Sequence, residues 1–159
     1  MENIKTVSNS NETIAELCVF VYGTLKPGGR YYERYCGAYS PKAVRAVVRG
    51  RLFDFPHLGY PAMTDVETDV ETNGDSWVKG YLLIFSQPPR LCSNILRQLD
   101  RLEGYQSVGS AENDYERSQL DIFDLDYQRL QQAWVYRMSV SLVRAQGGVL
   151  VPGGDWPIS

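Results

Sequence analysis

Six consecutive apolar or aromatic residues, Leu17-Cys18-Val19-Phe20-Val21-Tyr22, run straight into Gly23-Thr24-Leu25-Lys26-Pro27-Gly28-Gly29. No other stretch constrains the chain as tightly. A β-branched and aromatic run without polar alternation predicts a strand buried on both faces, so the loop that follows starts from a rigid base. Gly23 permits a positive φ or a close backbone approach, Thr24 adds a short hydroxyl, and Pro27-Gly28-Gly29 is strong turn chemistry. Backbone N–H groups freed in such a turn hold an anion or a carbonyl oxygen. The same residues also fit an ordinary strand-to-turn junction.

The rest of the chain is long enough to build a core around that strand. Its 159 residues correspond most simply to one domain, which buries roughly two-thirds of its unfolded surface. The expected division is a flexible polar tail over residues 1–16 and a single domain over 17–159. With 16 Lys+Arg against 19 Asp+Glu and no basic stripe, the net charge of -3 argues against nucleic acid as a partner. Cys18, Cys36 and Cys92 are odd in number and widely spaced in apolar surroundings, which predicts buried thiols and a reducing, cytoplasmic compartment. No apolar run reaches the ~18 residues of a membrane span, so no membrane partner is expected. No feature sets an oligomeric state.

Along the chain, residues 43–55 partly alternate, with Val44, Ala46 and Val48 opposite Arg45 and Arg49, and predict a strand in which Gly50 marks a bulge or a bend. His57, the sole histidine, sits in a Pro/Gly-rich loop and reads as solvated. The acidic repeat of residues 64–76 lacks the glycine and terminal glutamate of a calcium loop and reads as a hairpin tip or insertion. Strands are expected over 77–85, 115–123 and 132–142, and Trp156 is expected to anchor the glycine-rich C-terminal segment. Many strands and few helices predict a mixed α+β domain, a mixed sheet curled toward a barrel with one helix at its side.

That helix is the second informative element. Leu91, Cys92, Ile95, Leu96, Leu99 and Leu102 fill one helical arc after Pro88-Pro89. Glu103 falls four residues past Leu99 and seven past Leu96, inside the same arc, and Gly104 follows as a stop signal. Facing the core, at the negative end of the helix dipole, a carboxylate is disfavoured twice over. Its pKa is therefore expected to rise toward neutrality, which suits a general acid or base. The competing expectations are a frayed last turn, or pairing with Arg101 or Arg117.

Five segments occur in order: Val21-Tyr22-Gly23-Thr24-Leu25-Lys26-Pro27-Gly28, Gly50-Arg51-Leu52-Phe53, Gly59-Tyr60-Pro61-Ala62, Leu99-Asp100-Arg101-Leu102-Glu103-Gly104-Tyr105 and Tyr115-Glu116-Arg117. In this order and spacing, from about Leu17 to Tyr136, the chain resembles the γ-glutamylcyclotransferase-like superfamily. It is closer to the AIG2-like, γ-glutamylamine branch than to the branch carrying Tyr-Gly-Ser-Asn. The resemblance implies a small mixed-sheet barrel with one or two flanking helices. It also implies cofactor-independent release of 5-oxoproline from a small γ-glutamyl amine or peptide, in which the substrate's α-amine attacks its own γ-carbonyl. Carried over by motif, the backbone of Tyr22, Gly23, Thr24 and Leu25 would hold the γ-glutamyl moiety. Glu103 would move the proton from the α-amine to the leaving nitrogen. Tyr115 would lend a supporting hydrogen bond or be an ordinary strand tyrosine. Lys26, Arg30 and Arg51 are candidates for a substrate carboxylate, although charged residues near a mouth are usually solvated. A non-catalytic module binding a small ligand in the same pocket is the alternative.

Overall fold

The computed structural model describes residues 4–9, 12–65 and 76–158. Strand β1 (Ile4–Asn9) pairs antiparallel with β2 (Glu12–Val21), Ile4 opposite Leu17. Residues 4–9 and 12–16, within the stretch read as a polar tail, are thus strand. Hydrogen bonds to the edge of β2 order a polar segment, and polar residues are what an edge strand tolerates. Helix α1 (Tyr32–Tyr35) and a 3-10 turn at Gly37–Tyr39 come next. Strands β3 (Lys42–Arg49), β4 (Arg51–Phe55), β5 (Tyr60–Thr64) and β6 (Trp77–Gln87) precede helix α2 (Pro89–Leu102). The chain ends with β7 (Glu116–Phe123), β8 (Arg129–Arg137), helix α3 (Val140–Ala145) and β9 (Val149–Leu150).

Strands β2, β6, β3, β7 and β8 are successive neighbours, and β8 returns to β2 in parallel at Val19 and Trp134. The result is a closed five-stranded barrel with β1 as an added edge. A second sheet, β5-β4-β9, sits beside it. Gly50 therefore marks a bend, the point where the chain leaves one sheet for the other.

Closure explains why β2 reads as apolar on both faces. Cys18, Phe20 and Tyr22 join Ala46, Val48, Val78, Leu82, Ile122, Ala133 and Val135 inside the barrel. Leu17, Val19 and Val21 face outward, where Leu83, Phe85 and Trp134 meet Ile95, Leu96 and Leu99 of α2. Each large side chain fully buried in these two layers contributes about 2 kcal/mol. Cys18, Cys36 and Cys92 are buried free thiols, and His57 is exposed.

Strand β8 stops at Arg137, short of the expected Leu142. Ser139 caps α3 instead, its hydroxyl accepting from the Leu142 amide at 3.1 Å, which turns the last apolar residues of the alternating run into a helix. The Trp156 indole donates to Asp54 Oδ1 at 2.9 Å, anchoring the C-terminal segment as expected. Residues 66–75, most of the acidic repeat, lie outside the described residues. No helix among the described residues is long and apolar enough to cross a membrane.

Candidate active site

Where β2 ends, a pocket opens that is lined by Phe20 to Leu25 together with Pro61, Glu103, Tyr115 and Tyr136. Its empty volume, counted out to the mouth, is about 330 Å³. All six residues singled out from the sequence, Tyr22, Gly23, Thr24, Leu25, Glu103 and Tyr115, line this one cavity.

The loop wall is backbone. A tight turn forms as Lys26 N–H donates to Gly23 O (3.0 Å), Gly29 N–H to Lys26 O (2.7 Å) and Tyr31 N–H to Thr24 O (3.0 Å). Those bonds use the carbonyls. The amides of Gly23, Thr24 and Leu25 donate to no backbone carbonyl among the described residues and remain available as donors. Gly23 does not adopt a positive φ. What requires glycine is the Pro61 ring, whose Cγ would stand 2.7 Å from a β-carbon at this position.

Glu103 forms the helix wall. It is the residue that caps α2 at its C-terminus, followed by Gly104 at φ +66. The residue keeps a partial opening to solvent, but protein encloses its carboxyl group, and this desolvation pushes its pKa up to about 7. No cation pairs with it among the described residues. Arg101 is exposed, and Arg117 reaches Asp100 instead, Nη1 to Oδ2 at 2.8 Å. Of the sequence expectations, the enclosed acid stands and the pairing does not.

The phenols around the acid are kept protonated. Burial, then the charge of Glu103, pushes the Tyr22 hydroxyl far above its usual value. Burial dominates at Tyr115 as well, followed by Tyr22 and Glu103. The Cys36 thiol, raised to about 12 by burial and then by Glu103, is no nucleophile. Instead the tyrosines brace the pocket. Tyr22 donates to the Tyr136 carbonyl at 2.6 Å and accepts from the Met63 amide at 3.2 Å. Tyr115 donates to the Pro61 carbonyl at 2.6 Å, so its supporting bond goes to the wall that confines Gly23. Tyr136 donates to Asp100 Oδ1 at 2.7 Å, linking the pocket to the Asp100–Arg117 pair.

Sequence reasoning assigned no role to Pro61, Tyr136 or Asp100. The only signals were the Gly-Tyr-Pro-Ala motif and the period-two face of the strand carrying Tyr136. Lys26, Arg30 and Arg51 do not line the pocket. Lys26 Nζ donates to the Trp156 carbonyl, and Arg30 Nη2 to the Gly59 carbonyl at 3.3 Å.

Fold and pocket together define a small mixed barrel whose cavity brings an enclosed acid, Glu103, together with a loop whose amides donate to no backbone carbonyl among the described residues. Residues 19–157 match the family described as gamma-glutamyl cyclotransferase, AIG2-like, and the chain belongs to that family. In sequence, no curated protein matches it. Among solved structures it is similar to YkqA of Bacillus subtilis (18% identity, TM-score 0.53), covering 89% of this chain and 39% of that one. It is also similar to an AIG2-like protein of Mus musculus (21%, TM-score 0.52, 77% of each chain). A third is a yeast gamma-glutamyl cyclotransferase specific to glutathione (11%, TM-score 0.51, 79% of this chain and 69% of that one). At these identities the likeness is one of fold.

Proposed function

We propose that the protein is a cyclotransferase that releases 5-oxoproline and an amine from a γ-glutamyl amine or γ-glutamyl peptide, with Glu103 as its acid and base. The observation that carries this reading is the meeting of Glu103 with the Gly23–Leu25 loop in one cavity. The substrate supplies both nucleophile and electrophile, so the protein mainly has to fold it up. The α-amine nitrogen bonds to the γ-carbonyl carbon, while the loop amides hold the γ-glutamyl moiety. Glu103, ionised, accepts the proton lost by that nitrogen. It returns the proton to the leaving nitrogen as the C–N bond to the amine breaks, so the acid ends as it began. A carboxyl group with a pKa of about 7 suits both halves of the task. Three buried free thiols fit a reducing compartment such as the cytoplasm.

The test is to incubate the protein with a panel of γ-glutamyl amines and peptides and follow 5-oxoproline by mass. Wild type is expected to turn over at least one of them, at a rate that rises with pH through about 7 as Glu103 ionises. Glu103→Gln keeps the shape and is expected to lose about 10²- to 10⁴-fold in kcat. Wild-type turnover in that variant would remove Glu103 from the mechanism. Thermal stabilisation by these compounds without product would identify a ligand-binding module instead.

A further inference from the structure

Lys26 follows the last pocket residue of the loop, yet only 5% of its side chain is exposed. A glycine-rich surface turn does not need a buried lysine. Taking an ammonium out of water costs several kcal/mol unless acceptors replace the water. Two do so here, and both come from the C-terminal segment: the Trp156 carbonyl at 2.5 Å and Asp155 Oδ1 at 3.3 Å.

That segment is itself fixed elsewhere. The Val151 amide donates to the Leu52 carbonyl at 2.8 Å, and the Gly154 carbonyl accepts from the Lys79 amide at 2.7 Å. The Trp156 indole holds Asp54. The segment is thus a strap tied to β4 and β6, whereas the loop is an extension of β2. Beyond Trp156 the contact continues, since Ile158 Cδ1 lies 3.8 Å from where a β-carbon on Gly28 would stand.

We propose that Lys26 is a positioning residue that fixes the Gly23–Leu25 donor loop by hooking it to the C-terminal strap through Asp155 and Trp156. Without the strap the ammonium has to return to water, and Leu25 and the turn move with it. The catalytic consequence rests on the cyclotransferase reading, but the coupling of loop and strap does not.

Two variants break the hook from opposite ends, Lys26→Met and deletion of residues 155–159, and a third combines them. Hydrogen exchange at the Lys26, Gly29 and Tyr31 amides reports the turn. It is expected to speed up by about 10-fold or more in each variant while β6 amides stay protected. The combined variant is expected to show no gain beyond the deletion, because the deletion has already removed both acceptors of Lys26. In turnover, KM for a γ-glutamyl substrate is expected to rise about 10-fold. The pH midpoint set by Glu103 stays put, since α2 holds that acid. Wild-type exchange at the three amides in the truncated protein, or effects that simply add, would overturn the proposal. Absence of 5-oxoproline from wild type would sink the cyclotransferase reading alone, leaving exchange to decide the hook.

Discussion

The two walls of the pocket solve different problems. The loop wall, Phe20 to Leu25, contains no residue that ionises near neutral pH, and its donors are backbone amides placed by the continuity of β2 and by Pro61. Such donors cost little to orient and stay the same from acid to base. The helix wall puts its chemistry into one proton on Glu103, and its supports are ionic and hydrogen-bonded, from Arg117 through Asp100 to Tyr136. Shape is therefore stored on one side and titration on the other. Changes to the loop wall should alter substrate binding at every pH, and changes to the helix wall should alter pH dependence.

The largest expected effect lies on the helix wall. Arg117 lies 4.4 Å from the centre of the Trp134 ring and 5.0 Å from that of Tyr105, and its partner Asp100 is 18% exposed. Arg117→Met removes the cation and leaves a poorly solvated carboxylate one helical turn from Glu103. Denaturant unfolding is expected to show a loss of about 3 kcal/mol. The activity midpoint is expected to move above pH 7, because a negative charge that has lost the Arg117 cation disfavours another nearby. An unmoved midpoint would mean that the Asp100 charge does not reach the acid.

Glu103→Gln comes next, and here the variant gains. The folded protein binds the Glu103 proton more tightly than the unfolded chain does, with a pKa of about 7 against 4.5. The stability this provides is fully present below about pH 4.5 and is lost as pH rises through 7. Glutamine never ionises, so the variant is expected to be more stable than wild type by about 2–3 kcal/mol at pH 8. Thermal melts should show the gap closing by pH 4.5. A constant gap across that range would mean that the carboxyl group is better solvated than its enclosure implies.

How far the sequence reached follows from the range of the forces involved. Glu103 was legible because the 100° helical period alone places it with Leu96 and Leu99, and the helix dipole is local. β2 was legible because burial on both faces leaves no alternation. Barrel closure was not, since the contact of Val19 with Trp134 spans the chain and leaves no local mark. For the same reason Arg117 was considered for Glu103, whereas its actual partner Asp100 lies one turn earlier on the same helix. For Lys26 the sequence offers a substrate carboxylate or solvent as the partner, and neither is the one it has. The strap that supplies its partner lies 129 residues away. The α3 segment was misread because apolar residues at 138, 140 and 142 suit a strand face as well as a short helix, and Ser139 decides the matter through its cap.

On the loop wall, Gly23→Ala tests whether shape alone sets binding. Its methyl group would stand 2.7 Å from Pro61 Cγ, and both belong to well-anchored elements. The expected cost is about 2 kcal/mol of stability from overpacking, with a raised KM and an activity midpoint still near pH 7. A shift of that midpoint would break the division between the walls, since it would mean that the loop also tunes the acid.

Tyr115→Phe should have the smallest effect, and it probes where the walls meet. Its hydroxyl is buried and donates to the Pro61 carbonyl at 2.6 Å, and that proline ring confines Gly23. Phenylalanine fills the same volume and leaves one carbonyl without this donor, a loss of about 1 kcal/mol. If the bond only steadies the loop wall, KM rises modestly while kcat and the pH midpoint are unchanged. A fall in kcat at constant KM would instead give Tyr115 a bond to the reacting substrate. Pairing this change with Gly23→Ala separates the two outcomes. Two substitutions acting through Pro61 should couple, whereas a tyrosine acting on substrate should add to the loop defect.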